Sequence, residues 1–214
     1  MARRPVRSFV FAIDFRVPQP ERVWPLLEAN RESFADLGAY YVFAYESTTE
    51  PGRVLVVIGV QTEQPLLDLV RSRHFFVWFD AVGIDDIPAV FAGETVERLD
   101  IADMSAEGSA DIVVVTITPV DDVGTFMSHV RASVDNFSRA GIRKTVVYQA
   151  FDNPCEVMFL QQLQSQDSAR RWVGRSDIAA EWLAAAGVGA YPPVFVGRFA
   201  HAMRLGQTSG TGRR

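Results

Sequence analysis

The chain has 214 residues, 48% apolar and 22% charged, with a net charge of −5, so it can build a core without disulfides or metals and has no basic balance for non-specific nucleic-acid binding. No apolar run approaches the ~20 residues of a membrane helix, and the basic start, Met1 to Arg7, lacks the apolar core and cleavage site of a signal peptide. The single cysteine, Cys155, cannot close an internal disulfide; it reads as a small apolar strand residue in a reducing compartment, and the chain as cytoplasmic.

Along the chain, Ser8–Arg16 is rich in Phe, Val and Ile and predicts a strand, broken by Pro18 and Pro20. Val23, Leu27, Asn30, Phe34 and Leu37 recur at helical spacing and predict one helix, stopped by Gly38. Tyr40–Ser47 and Arg53–Gln61 predict two strands around the Pro51-Gly52 turn. Gln64–Val82 is helical, with a break near Arg71–Arg73, and Glu94–Ile101 is a further strand. After a small-residue stretch the same order returns: strand Asp111–Thr118, helix Val123–Ala140, strands Arg143–Phe151 and Cys155–Gln162, helix Ser165–Ala186, strand Phe195–Leu205.

The return is a true repeat. Trp78, Gly83, Pro88, Phe91 and Gly93 match Trp182, Gly187, Pro192, Phe195 and Gly197 at a constant offset of 104, and Phe34 and Gly38 match Phe137 and Gly141 at 103. The expected organisation is residues 1–101 as a first unit, 102–110 as linker, 111–205 as a second unit and 206–214 as a flexible tail. Each unit reads βαββαβ, the ferredoxin-like split motif, which covers one sheet face with helices. Runs such as Val54-Leu55-Val56-Val57-Ile58 and Ile112-Val113-Val114-Val115 are apolar on both faces, so the second face must also be buried. The economical cover is the other unit's sheet, giving an α+β fold of two tandem ferredoxin-like units packed sheet to sheet as an intramolecular pseudo-dimeric α/β barrel.

This element order, the duplicated layout and the split second helix resemble the dimeric α/β-barrel superfamily, with its antibiotic-biosynthesis-monooxygenase-like and stress-responsive members, here as a tandem fused pair. The resemblance implies a small-molecule-binding barrel with its ligand cleft between helices and sheet. It further implies cofactor-independent monooxygenase or isomerase chemistry on a planar apolar or acidic substrate, with a non-catalytic ligand-binding or scaffold barrel as the alternative. Haem-degrading members carry a histidine late in the second helix; Ser72–Phe79 and Ser176–Leu183 lack it, and His201 is no convincing match for the proximal histidine of chlorite-dismutase-like enzymes.

The three histidines, His74, His129 and His201, are scattered, so no metal, haem or flavin is expected. His74 lies between arginines and the aromatic run Phe75-Phe76-Val77-Trp78-Phe79, where copy two reads Ile178-Ala179-Ala180-Glu181-Trp182-Leu183. That asymmetry places the expected site in copy one. His74 is the candidate catalytic base, and Asn30, Tyr41, Tyr45, Phe75, Phe79 and Arg71 are the candidate substrate-binding residues. The expected partner is a small apolar or aromatic ligand, and a homodimer through helices or sheet edges is left open.

Overall fold

The computed structural model describes residues 8–61, 83–84, 87–102, 112–174, 176–188 and 193–205. In the first copy, β1 (Phe9–Arg16) leads through a 3-10 turn, Pro20–Arg22, into α1 (Val23–Ala29) and α2 (Arg31–Asp36). β2 (Ala39–Ser47), β3 (Arg53–Val60) and β4 (Ala89–Asp100) follow. The second copy runs β5 (Ile112–Pro119), α3 (Val123–Ala132), α4 (Val134–Ala140), β6 (Ile142–Ala150), β7 (Glu156–Leu163), α5 (Gln166–Val173), α6 (Ser176–Ala185) and β8 (Val194–Arg204). The helix expected over Gln64–Val82, most of the linker expected at 102–110 and the tail at 206–214 lie outside the described residues.

The strands close into one antiparallel barrel in the order β1-β3-β2-β8-β5-β7-β6-β4. Each copy contributes four neighbours, and the copies join at β2·β8 and β4·β6. The ladder repeats with the sequence. Val10 faces Gly93 as Val113 faces Gly197, and Ser47 faces Gly197 as Ala150 faces Gly93. The irregularities repeat too: β2 skips Tyr40 against β3 as β6 skips Arg143 against β7, and β4 skips Val96 against β6 as β8 skips Ala200 against β2. Two ferredoxin-like units thus share one closed sheet about a pseudo-twofold relation.

Closure creates three apolar layers. The barrel interior holds Val10, Tyr45, Leu55, Phe91, Val113 and Phe195 among others, from both copies. Outside the barrel, α1 packs Val23 and Leu27 on Phe11, Val42 and Ile58, while α3 and α4 pack Phe126, Val130 and Phe137 on Val147, Phe159 and Leu163. The double burial read from the strand sequences follows from this: seven of the eight residues of β3 are buried, with only Arg53 intermediate.

Four sequence expectations change in detail. The helices expected over Val23–Leu37 and Val123–Ala140 each divide, at Asn30 and at Ser133, whose backbones sit near φ −101°, ψ 15° and φ −95°, ψ 1°. Both residues bear side chains that hydrogen-bond more readily than they pack, and they occupy equivalent places in the repeat. β4 begins at Ala89, not Glu94, and runs through Gly93. Cys155 is exposed in the turn before β7, its amide donating to Asn153 Oδ1 at 3.1 Å, so it is not an apolar strand residue. Among the described residues no helix is long and apolar enough to cross a membrane.

Candidate ligand cleft

The structure separates Asn30 from Tyr41 and Tyr45, three of the residues that sequence reading grouped. His74, Arg71, Phe75 and Phe79 lie outside the described residues. Asn30 is half-buried between α1 and α2, and its side-chain amide donates to the Leu26 carbonyl at 2.7 Å. Tyr41 and Tyr45 lie on the opposite face of the sheet, in the barrel interior, so they share no helix–sheet cleft with Asn30. The Tyr40 bulge sets this phase: after it Tyr41, Phe43 and Tyr45 point inward while Val42 and Ala44 face the helices.

Inside the barrel Tyr41 stacks on Phe43 at 4.5 Å, and a β-carbon on Gly59 would stand 2.1 Å from its ring, so a larger residue there would displace the tyrosine. The Tyr41 and Tyr148 hydroxyls influence each other in the interior. Burial pushes the Tyr148 hydroxyl up to about 12, against the lowering effect of Tyr41, and raises Tyr41 and Tyr45 as well. These hydroxyls are neutral at physiological pH and serve packing.

A cleft lined by described residues lies in copy two. A space of about 480 Å³ is lined by Asn136, Phe137, Arg139 and Ala140 of α4, Arg171 and Trp172 of α5, and Trp182 of α6. Its walls are aromatic. Phe137 meets Trp172 edge-on at 5.7 Å, and Trp182 stacks on Phe159 at 5.8 Å and 10°. Both indoles are fixed by their N–H groups: Trp182 Nε1 donates to Ser133 Oγ at 2.7 Å, and Trp172 Nε1 donates to Gln161 Oε1 at 2.9 Å. Ser133 therefore breaks the helix and anchors the tryptophan that the repeat marks as shared. The split between α5 and α6 opens the cleft, and Ser165 starts α5 by accepting from the Ser168 amide at 3.1 Å.

Beneath Trp172 the sheet is unusually polar. Gln161 on β7 and Thr145 on β6 face each other across the ladder, 2% and 1% exposed. The Gln161 Nε2 and Thr145 Oγ1 atoms have no hydrogen-bond partner. Such orphans are uncommon in folded proteins and cost about 1–3 kcal/mol each. The equivalent pair in copy one is Ile58 and Val42, both apolar, so the polar pair belongs to copy two alone. The sequence carries only a faint sign of it: Gln161-Gln162 follows the apolar run Val157–Leu160, and Thr145 follows Arg143-Lys144.

Electrostatically the rim is cationic. Arg139 donates from Nη2 to Asn136 Oδ1 at 2.6 Å, and Arg171 from Nη2 to Ser168 Oγ at 3.3 Å. His201, exposed on β8, is distant in role: it stacks flat on Trp24 at 4.7 Å and 10°. Among the described residues no three His, Cys, Asp or Glu side chains converge as metal ligands.

No protein-family profile matches the chain, and no curated protein is similar to it in sequence. Solved structures are similar in fold. An anthrone oxidase-like protein superposes with a TM-score of 0.67 at 15% identity, covering 97% of each chain. A monooxygenase candidate from Fusobacterium nucleatum gives 0.63 at 11% identity, covering 95% of this chain and 97% of that one. A ferredoxin-fold protein related to antibiotic biosynthesis monooxygenases, from Listeria monocytogenes, gives 0.52 at 12% identity, covering 91% and 95%. The chain has the fold of the dimeric α/β-barrel, antibiotic-biosynthesis-monooxygenase-like proteins, carried as a tandem pair over nearly its whole length.

Proposed function

We propose that the chain is a small-molecule-binding α/β-barrel protein of the monooxygenase-like kind, and that a planar ligand sits in the copy-two cleft between α4, α5 and α6. One observation carries this reading: a cleft of about 480 Å³ walled by Phe137, Trp172 and Trp182, with the Trp172 indole held on the buried polar Gln161, where the other copy has an apolar residue. The tryptophan faces suit a flat ring. The fold likeness supports the class of protein and not a reaction.

The described lining of the cleft holds no histidine or carboxylate, so binding is what its geometry supports directly. Cofactor-independent oxygenation or isomerisation would need a base, and His74, with Arg71, Phe75 and Phe79, remains the sequence-based proposal for it. Titration of the tryptophan fluorescence with 2-naphthol tests the binding reading. Saturable quenching that falls away in Trp172→Phe is expected; quenching unaffected by Trp172→Phe, or none at all, favours the scaffold alternative. Oxygen uptake with anthrone, compared between the native chain and His74→Ala, tests for turnover. Uptake no faster than the uncatalysed rate would leave the chain a binding protein.

A further inference from the structure

The cleft has chemistry at its rim as well as on its floor. α4 and α5 each present one guanidinium to it, Arg139 and Arg171. Neither pairs with a carboxylate among the described residues, although the chain carries more Asp and Glu than Lys and Arg. Elsewhere the exposed arginines find acids within reach: Arg131 pairs with Glu97, Arg31 with Glu28 and Arg170 with Asp167. Arg170, next in the chain to Arg171, shows that α5 has a carboxylate available and that Arg171 is turned from it. Arg139 is four residues from Asp135, yet it takes the Asp135 backbone carbonyl at 3.3 Å and not the carboxylate.

Both guanidiniums are instead held by neutral acceptors, the Asn136 amide oxygen and the Ser168 hydroxyl. Neutral anchors orient an arginine without neutralising it, so its remaining donors stay available to an anion. The charge is specific to this copy. Phe34 and Gly38 align with Phe137 and Gly141, which sets Asp36 of copy one against Arg139: the rim charge is reversed.

We infer that the copy-two cleft selects planar aromatic acids: the ring lies against the Trp172 and Trp182 indoles, and the carboxylate is clamped by Arg139 and Arg171. This rests on the proposed function, since it names the ligand class for that same cleft. A space of about 480 Å³ accommodates a ligand of two or three fused rings. The clamp is solvent-facing, so each contact is modest, and two together give about a tenfold preference for the acid over a neutral isostere.

The test is calorimetric titration of the full chain with 2-naphthoate and with its neutral isostere 2-naphthamide, each at low and at raised salt. The acid should bind about tenfold tighter, with the advantage shrinking as salt screens the clamp. In the Arg139→Gln/Arg171→Gln double variant the advantage should fall to about twofold or less, with the amide binding unchanged. Both side chains are exposed, so the variant should melt with the native chain; the salt series on the native protein gives a second readout if it does not. Equal affinity for acid and amide would overturn the charge selection and leave an uncharged aromatic site. Failure of both to bind would overturn the cleft reading itself. A preference for the acid that survives the double substitution would place the anion elsewhere and overturn the assignment to Arg139 and Arg171.

Discussion

At the scale of single residues, the indole of Trp182 ties together three elements: it packs on Phe126, Phe137 and Phe159 and donates to Ser133 at the break between α3 and α4. Trp182→Phe keeps most of the area but leaves the buried Ser133 hydroxyl without its donor, and should cost about 1–3 kcal/mol in urea unfolding. Trp182→Ala also opens a cavity, and should cost about 3–5 kcal/mol. Equal losses for the two would mean that the hydrogen bond contributes nothing. The repeat made Trp182 legible as a shared packing residue. The inward turn of Tyr41 and Tyr45 was not legible, because β2 is apolar on both faces and a bulge sets its phase; alternation gives no sign when both sides are buried. The same tyrosines make a pH prediction. Tyr148 rises from its ordinary value near 10 to about 12 on folding, so the unfolded chain releases that proton first. The stabilisation is complete below about pH 10 and is lost as pH rises toward 12, with Tyr41 and Tyr45 shifted in the same direction. Denaturant midpoints measured across that window should fall while tyrosinate absorbance appears with unfolding; constant midpoints would show the hydroxyls to be solvated.

Among the elements, β4 and β8 show how the repeat encodes contact between copies. Gly93 and Gly197 sit where each strand crosses onto the other copy, with Phe91 and Phe195 lying over them. A β-carbon on Gly93 would stand 2.2 Å from the Gln149 carbonyl oxygen, which is ladder backbone and cannot move aside. On Gly197 the first atom met, also at 2.2 Å, is the edge of the Phe195 ring, which can turn. Gly93→Ala should therefore cost about 3 kcal/mol and Gly197→Ala about 1 kcal/mol, read as the difference between their urea midpoints. The reverse order would mean that the ring is less free than the ladder. Strands and their order were readable from composition and turns. The helix breaks at Asn30 and Ser133 were hidden, since the apolar spacing continues across both and only the tertiary use of the side chain interrupts the backbone. The copy-two cleft was missed for a related reason: aromatic count drew attention to copy one, whereas the cleft is made by few rings brought together from three helices.

For the whole molecule, the barrel is one sheet and not two domains in contact. Its interior layer belongs to both copies, and the β2·β8 and β4·β6 ladders run as long as those within a copy. Thermal unfolding should be a single transition, with calorimetric and van't Hoff enthalpies that agree. Two resolved transitions would mean that each copy has a stable core of its own. The sequence conveyed this arrangement better than it conveyed any site, because an internal repeat and doubly apolar strands constrain topology while leaving chemistry free.

A ring of strands also has no first or last member. Every strand of this sheet has a neighbour on both sides, so no whole strand edge is offered to another chain. Growth by strand addition, the usual route from a β-rich protein to fibrils, is closed to the native state. It reopens only if β2 parts from β8 or β4 from β6, which exposes two long apolar edges at once. Aggregation of this protein should accordingly follow its unfolding equilibrium and not its concentration in the folded state.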